Sequence, residues 1–234
     1  MKIAGFIMGA ALLIAGNDVF AQQPSITVKA GTKIIDYFPS EKRFRYIGFQ
    51  KGRVVFRDGT YTATRLNYNY LNGDMQFIQG RDTLSIANTD QIDFVNIDKD
   101  TFYFDNGYLE VLADIGRLRL VRKQYVKTVD IKKQEAYGMS SSASATTSYS
   151  SIQSGSRYYN LVVQQDVVVR MQKEFYMGSP VDGFQLFRKK FALEMFPARE
   201  AEIKRYLKEN PVDFYKEEEV LEFSLFLKEL AEKE

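Results

Sequence analysis

The chain has no cysteine, no histidine and no tryptophan among its 234 residues. Each absence removes a class of chemistry. Without cysteine there are no disulfides, so a packed core has to supply the stability, and there is no thiolate nucleophile. Without histidine, the Ser-His-Asp and Cys-His nucleophilic arrangements, imidazole zinc sites and histidine-ligated haem are all excluded. Any catalysis would have to come from Asp, Glu, Lys, Arg, Tyr or Ser. An excess of one charge is also lacking. The 32 basic and 30 acidic side chains leave a net +2, too little for a global field that steers nucleic acid. Composition therefore points away from a nucleic-acid binder and away from an enzyme.

Long apolar runs are scarce as well, apart from one at the start. "MKIAGFIMGAALLIAGNDVFAQQP" places Lys2 before an apolar stretch from Ile3 to Ala15, followed by Val19-Phe20-Ala21. A short positive end, a short apolar core and small residues just before the break are the layout of a cleaved secretory signal. An apolar core of about a dozen residues is too short to span a bilayer, which needs about 20. The reading is a signal peptide over residues 1–21, cleaved after Ala21, and a mature chain beginning at Gln22. That chain carries no transmembrane segment and, lacking cysteine, no lipid-anchor site. The expected location is the periplasm or the cell surface.

What is abundant is short alternation punctuated by turns. In "RLNYNYLNGDMQFI" (Arg65 to Ile78), Asn72-Gly73 suits a two-residue hairpin turn, because both central positions need positive φ. That turn pairs Tyr70 with Met75, Asn69 with Gln76 and Tyr68 with Phe77. Gly80-Arg81 suits a type II′ turn and pairs Phe77 with Leu84, Gln76 with Ser85 and Met75 with Ile86. One face then carries the aromatic and aliphatic residues, the other Asn69, Gln76 and Ser85; a one-residue slip would destroy that agreement. The stretch reads as scaffold. By the same logic Asp58-Gly59 pairs Phe56 with Tyr61 and Val54 with Ala63, and Asn106-Gly107 pairs Phe104 with Leu109 and Phe102 with Val111. "QIDFVNI" is a further short strand. From Arg53 to about Ala113 the chain reads as a β-meander, continued by "RLRLVRKQYVKTVDI" with Leu118 and Leu120 inward and Arg117 and Arg119 outward.

Residues 138–156, "GMSSSASATTSYSSIQSGS", are uncharged and Ser/Thr-rich, too polar to bury apolar surface, and read as a mobile loop. Beyond it, Asn160 to Gln165 and Val167 to Tyr176 suggest another hairpin. The last part reads as three helices: Phe184 to Phe196, a second opened by Pro197 with Glu200 four residues before Lys204, and "KEEEVLEFSLFLKELAEKE" with acids in its first turn. The expected architecture is α+β: an antiparallel β-meander sheet over residues 22–180, barrel-like or sandwich-like, with three C-terminal helices over 181–234 packed on it in the same compact unit.

The strings "KGRVVFRDGTYTATRLNYNYLNGDMQFI", "DTLSIANTDQIDFVNIDKDTFYF", "AYGMSSSASATTSY" and "LKENPVDFYKEEEVLEFSLFL" resemble a group of secreted proteins of Bacteroidetes-type bacteria without an assigned function. The resemblance covers nearly all of the mature chain. It rests on strand, turn and helix patterns, implies a Gram-negative exported setting and carries over no catalytic residue.

Four features are candidate sites. The serine-rich loop, bordered by Tyr137 and Tyr149, is either a docking segment or an inert connection. The acidic residues Asp90, Asp93, Asp98, Asp100 and Asp105 are turn formers, with Asp98 and Asp100 a conceivable calcium pair; no other cofactor is expected. The basic run Arg117, Arg119, Arg122, Lys123, Lys127, Lys132 and Lys133 could meet an anionic partner or protect an edge strand. On the closing helix Phe223 and Phe226 widen the apolar sector, toward a partner groove or the core. The expected function is an exported, non-catalytic module that binds a protein partner or a cell-envelope component. The alternative is a glycan-binding or carboxylate-dependent glycan-processing protein that uses exposed Tyr103, Asn67 and Asn69.

Overall fold

In the computed structural model, which describes residues 24–134, 140–143 and 162–232, the alternation resolves into an antiparallel sheet of twelve strands. The expected signal peptide, Tyr137, Tyr149 and most of the serine-rich segment lie outside those residues. In chain order the elements are β1 Ser25–Val28, α1 Ser40–Arg43, β2 Gln50–Phe56, β3 Tyr61–Asn69, β4 Asp74–Gln79 and β5 Asp82–Ser85. They continue with β6 Ile92–Ile97, β7 Asp100–Phe104, β8 Tyr108–Ile115, β9 Leu118–Gln134, β10 Ser140–Ala143, β11 Asp166–Ser179 and β12 Gly183–Leu186. The chain ends in α2 Lys189–Met195, α3 Glu200–Glu209 and α4 Glu217–Ala231.

The strand order is β1-β11-β9-β8-β7-β6-β2-β3-β4-β5, with β10 added to β9 and β12 added to β11. Among the described residues β1 and β5 do not pair, so the sheet is open. The α+β class with an antiparallel sheet stands, and the sheet is not a closed barrel, although it curls far enough for Val126 N–H of β9 to donate to the Tyr70 carbonyl just beyond β3 at 2.8 Å. Nor is there one continuous meander. β2 to β5 run one way, and β6 then crosses back to the other side of β2, pairing Val54 with Val95, before β6 to β9 run the other way. The cause is burial. β5 is a short, mostly exposed edge, whereas β6 has Ile92, Val95 and Ile97 to bury, and β2 offers the free apolar flank. Gly52 permits the close approach, since a Cβ there would stand 2.4 Å from the Asn96 carbonyl oxygen.

Of the expected turns, Gly80-Arg81 has the anticipated register, with Phe77 opposite Leu84 and Gln76 opposite Ser85. The other three are longer than two residues. At Asn72-Gly73 the partners are Tyr68 with Met75 and Asn69 with Asp74, a shift of two that keeps the faces. The cause is Leu71, which is buried with Val28, Ile34, Phe38 and Val126 and draws the tip inward, while the Tyr70 carbonyl accepts from Val126 N–H at 2.8 Å. At Asp58-Gly59 the loop is Arg57-Asp58-Gly59. Gly59 N–H donates to Phe56 O and Phe56 N–H to Thr60 O, both at 2.9 Å, and only Gly59 takes positive φ, +84°. This is the three-residue hairpin that ends in a left-handed glycine. It places Val55, not Phe56, opposite Tyr61. At Asn106-Gly107 a three-residue loop likewise pairs Phe104 with Tyr108 and Phe102 with Glu110. Those two single-residue slips exchange the faces of the residues concerned.

The anticipated hairpin between Asn160–Gln165 and β11 is absent at its described residues. Val162 bridges Lys33 instead, and β11 pairs with β9 and with β1. Ser140–Ala143 of the expected loop are a strand against β9. Phe184 lies in β12, opposite Gly178, and not in a helix. Among the described residues there are four α-helices: α1 lies between β1 and β2, and a 3-10 turn at Pro197–Arg199 leads into α3. No helix among the described residues is long and apolar enough to cross a membrane.

Three apolar clusters form the interior. Ile115, Leu120, Phe175 and Met177 of the sheet meet Phe187, Ala192, Ile203, Val220, Phe223 and Leu227. Val54, Leu66, Tyr68, Met75, Val95 and Phe102 form the second, and the group around Leu71 the third. The helices thus share the core of the sheet, α4 through residues at steps of three and four, each fully buried side chain contributing about 1.5–3 kcal/mol. Replacing Leu71 by Ala should cost about 2–5 kcal/mol in urea unfolding. A loss below about 0.5 kcal/mol, the usual range for surface positions, would mean that Leu71 sits at an exposed hairpin tip.

Candidate functional site

Because of the slip at Asn106-Gly107, Glu110 of β8 faces inward. It stands opposite Arg122 of β9, and alternation along β9 sets Arg122 on the same face as Leu120 and Val126, where the three apolar clusters meet. Glu110 accepts from Arg122 Nη2 at 2.5 Å and from Arg45 Nε and Nη2 at 3.0 and 2.8 Å. Arg122 Nη1 in turn donates to both oxygens of Glu217, at 2.8 and 2.7 Å, and Lys173 donates to Glu217 Oε2 at 3.0 Å. At the other end Asp100 Oδ2 accepts from the Tyr46 hydroxyl at 2.7 Å and from Arg45 Nη2 at 3.4 Å. Three cations and three carboxylates therefore alternate in one chain, Asp100–Arg45–Glu110–Arg122–Glu217–Lys173.

Its centre is the driest part: the side chains of Arg122 and Glu110 are 9% and 6% exposed. Charges so placed require partners, and each has them on both sides. Burial acts to raise the Glu217 carboxyl, but Arg122 and Lys173 outweigh it, and the net shift is downward. Burial, then the Asp100 carboxylate, push the Tyr46 hydroxyl well above its ordinary value. Burial is also the main cause that takes Tyr70 up to about 12. Each carboxylate in the chain is held by a cation. The arrangement is a clamp joining the segment before β2, the sheet and the first turn of α4.

The clamp also fixes one side of a surface feature. Phe44 bridges Asn69, Arg45 N–H donates to Tyr68 O at 2.9 Å, and regular pairing resumes only at Gln50 with Leu66. Between them the chain bulges. The Asn67 side chain spans the gap, its Oδ1 accepting from Tyr46 N–H at 3.1 Å and its Nδ2 donating to Tyr46 O at 3.0 Å and Gly48 O at 3.3 Å. Held by Arg45 and Tyr46 on one side and by Asn67 on the other, the bulge projects Ile47, 96% exposed, into solvent. Beside it lies a depression of about 350 Å³ lined by Phe49, Gln50, Lys51, Arg65 and Asp98. Lys51 and Arg65 are directly opposed across β2 and β3, and both are exposed. Among the described residues neither forms an ion pair.

The anticipated site residues are dispersed. Of the two aspartates expected as a calcium pair, Asp100 is an acceptor in the clamp, whereas Asp98, with φ +52°, is an exposed turn residue. Among the described residues no three acidic side chains are gathered to hold a metal. Asp105 accepts from Phe184 N–H at 3.1 Å. Arg117 is exposed in the turn before β9. Arg119 pairs with Asp114 at 3.2 Å and lies over the Tyr103 ring. Arg122 of the same basic run is buried and not outward. Phe223 is wholly buried and Phe226 stacks on Tyr206 at 4.1 Å, so Phe223 offers no surface. Tyr103, Asn67 and Asn69 are 8%, 1% and 2% exposed, which removes them as a glycan-facing set. The polar residues of the hairpin bond to each other, Asn69 Nδ2 to Gln76 Oε1 at 3.2 Å and Gln76 Nε2 to Ser85 Oγ at 3.4 Å. The clamp and the Lys51–Arg65 pair were missed. Glu110, a single acid within "YLEVLA", was the available signal. The chain matches no protein-family model, no curated protein and no solved structure.

Two outcomes test the clamp. Glu110→Gln should lower stability by about 3–5 kcal/mol in denaturant unfolding, because it leaves the buried Arg122 guanidinium and the half-buried Arg45 guanidinium short of a counter-charge; a loss under about 1 kcal/mol would contradict the clamp. The depressed Glu217 carboxyl contributes stability that is complete above the unfolded-state value of about 4.3 and is lost as the pH falls through the lower folded-state value. Glu217→Gln should therefore flatten the fall in stability below about pH 4, and an unchanged acid profile would refute that assignment.

Proposed function

We propose that the chain is an exported, non-catalytic binding module that holds a component of the cell envelope on the face formed by the bulge and the adjoining depression. The observation that carries the reading is Ile47. A branched apolar side chain, 96% exposed, is displayed on a bulge that the Asn67 amide and the Arg45–Glu110 contact hold from both sides. An apolar residue on a fixed support beside a concave surface is the arrangement of an anchor that a partner covers. Lys51 and Arg65, opposed at the same place and without an ion pair among the described residues, support it further. Export is supported by the signal-like first 21 residues and by the resemblance to secreted proteins of Bacteroidetes-type bacteria. The glycan reading gains from the depression, where Phe49 and Gln50 offer an apolar wall and a hydrogen-bonding amide; glycan processing does not, because the central carboxylates are committed to cations.

A photo-reactive amino acid placed at Ile47, in the chain expressed in its native cells, tests the reading. Irradiation should yield a discrete adduct with an envelope component, whereas the same probe at Leu225, exposed on α4, should not. No adduct at either position, or the same products from both, would overturn it.

A further inference from the structure

We infer that the depression beside the bulge takes an acidic sugar, a saccharide ring bearing a carboxylate or phosphate that Lys51 and Arg65 hold. The inference rests on the reading of this face as the binding face and names the chemistry it accepts.

The register carries the first step. Lys51 is directly opposite Arg65, and opposed residues stand with Cβ atoms about 5 Å apart, where like charges repel. An anion between them replaces the repulsion with charge-assisted hydrogen bonds, and a guanidinium receives a carboxylate or phosphate in two-point fashion. The obvious structural use of such cations is absent here. Lysine and arginine guard edge strands against pairing, but β2 lies between β6 and β3, and β3 between β2 and β4. Arg53, on the same face of β2, stacks over Tyr61 instead.

The lining carries the second step. Asp98 flanks Lys51, donating its N–H to Lys51 O at 3.1 Å, yet forms no ion pair with it among the described residues. A carboxylate at the rim is wrong for a bare anion and right for sugar hydroxyls, which donate to it. Gln50 adds an amide. Phe49, packed against Phe44 at 5.8 Å between ring centroids, supplies an apolar wall for the C–H face of a ring. At about 350 Å³ the space is at the small end of the ~300–1,000 Å³ range of ligand pockets, which suits one or two rings.

The test is calorimetric titration of the full chain, expressed for export, at low salt. The probes are tri-galacturonate, the neutral galactose trisaccharide, glucosamine 6-phosphate, inorganic phosphate, and vesicles with and without phosphatidylglycerol. The expected result is saturable binding of tri-galacturonate or the sugar phosphate and none of the neutral trisaccharide. The Lys51→Gln/Arg65→Gln double variant should bind at least about tenfold more weakly, with its unfolding midpoint unchanged. Lys208→Gln, which removes an exposed charge on α3, should leave the affinity alone. Equal binding of neutral and acidic sugars, or no binding of either acidic sugar, would overturn the inference. So would phosphate alone binding as tightly as its sugar ester, or binding of anionic vesicles only, which would make the face a free-anion or lipid site. An adduct at Ile47 without acidic-sugar binding defeats this inference and leaves the envelope-binding reading standing; sugar binding without an adduct does the reverse.

Discussion

The buried carboxylate of Glu110, between Arg45 and Arg122, is the constraint to which the rest of the structure answers. Its partners come from two places, Arg45 from the segment ahead of β2 and Arg122 from the neighbouring strand, and Arg122 reaches on to Glu217 in the first turn of α4. Apolar packing alone tolerates sliding, because one leucine can replace another at similar volume. A buried charge does not, since an ion left without its partner costs several kcal/mol. The three apolar clusters therefore supply most of the free energy, and the ion chain selects the arrangement in which they meet. The weight of the clamp lies in specificity more than in net stabilisation, as Coulombic gain and desolvation nearly offset for a buried pair.

The parts of the fold that depend on local rules were legible. The Gly80-Arg81 hairpin, the inward Leu118 and Leu120, and the apolar stripe of α4 all follow from alternation, turn chemistry and helical spacing. What could not be read is what tertiary contact decides. The dipeptides Asn72-Gly73, Asp58-Gly59 and Asn106-Gly107 mark turns correctly, but a glycine in the left-handed region serves two-, three- and four-residue loops alike. Burial of Leu71 chose among them at the first. The crossover that brings β6 to β2 depends on which edge could bury Val95, which no local signal reveals. The extra residue at Leu112 of β8, where Val111 faces Val121 and Ala113 faces Leu120, is invisible to a strict two-residue period.

The site was hidden for the same reason. With a two-residue turn at Asp58-Gly59, Lys51 would oppose Leu66 and no cationic pair would exist; the left-handed Gly59 moves the register by one and sets it opposite Arg65. The polar-aromatic stretch from Arg65 to Ile78 reads as scaffold, and Asn67 and Asn69, which the glycan alternative needs exposed, are interior. Asn67 in particular serves as a substitute for backbone, filling the places in the ladder that the bulge leaves open. Polar residues in a strand are poor guides to ligand contact when a neighbouring segment departs from the sheet, because unpaired backbone groups compete for them.

The location of the bulge and depression also bears on the binding proposed for them. Binding surfaces on loops are mobile, and ordering them subtracts from affinity. Here Lys51 and Arg65 stand on two central strands, and the bulge beside them is tied at Tyr46 and Gly48 by a single asparagine and at Arg45 by the buried glutamate. Little backbone freedom would remain to be lost if the proposed partner covers the face, which leaves the side chains of Lys51 and Arg65 as the main groups to be ordered. The interior charge clamp and the exposed cation pair are thus two ends of one device. The first, by fixing Arg45, holds the bulge in place; the bulge in turn sets Phe49 beside Lys51 and Arg65 in the wall of the depression.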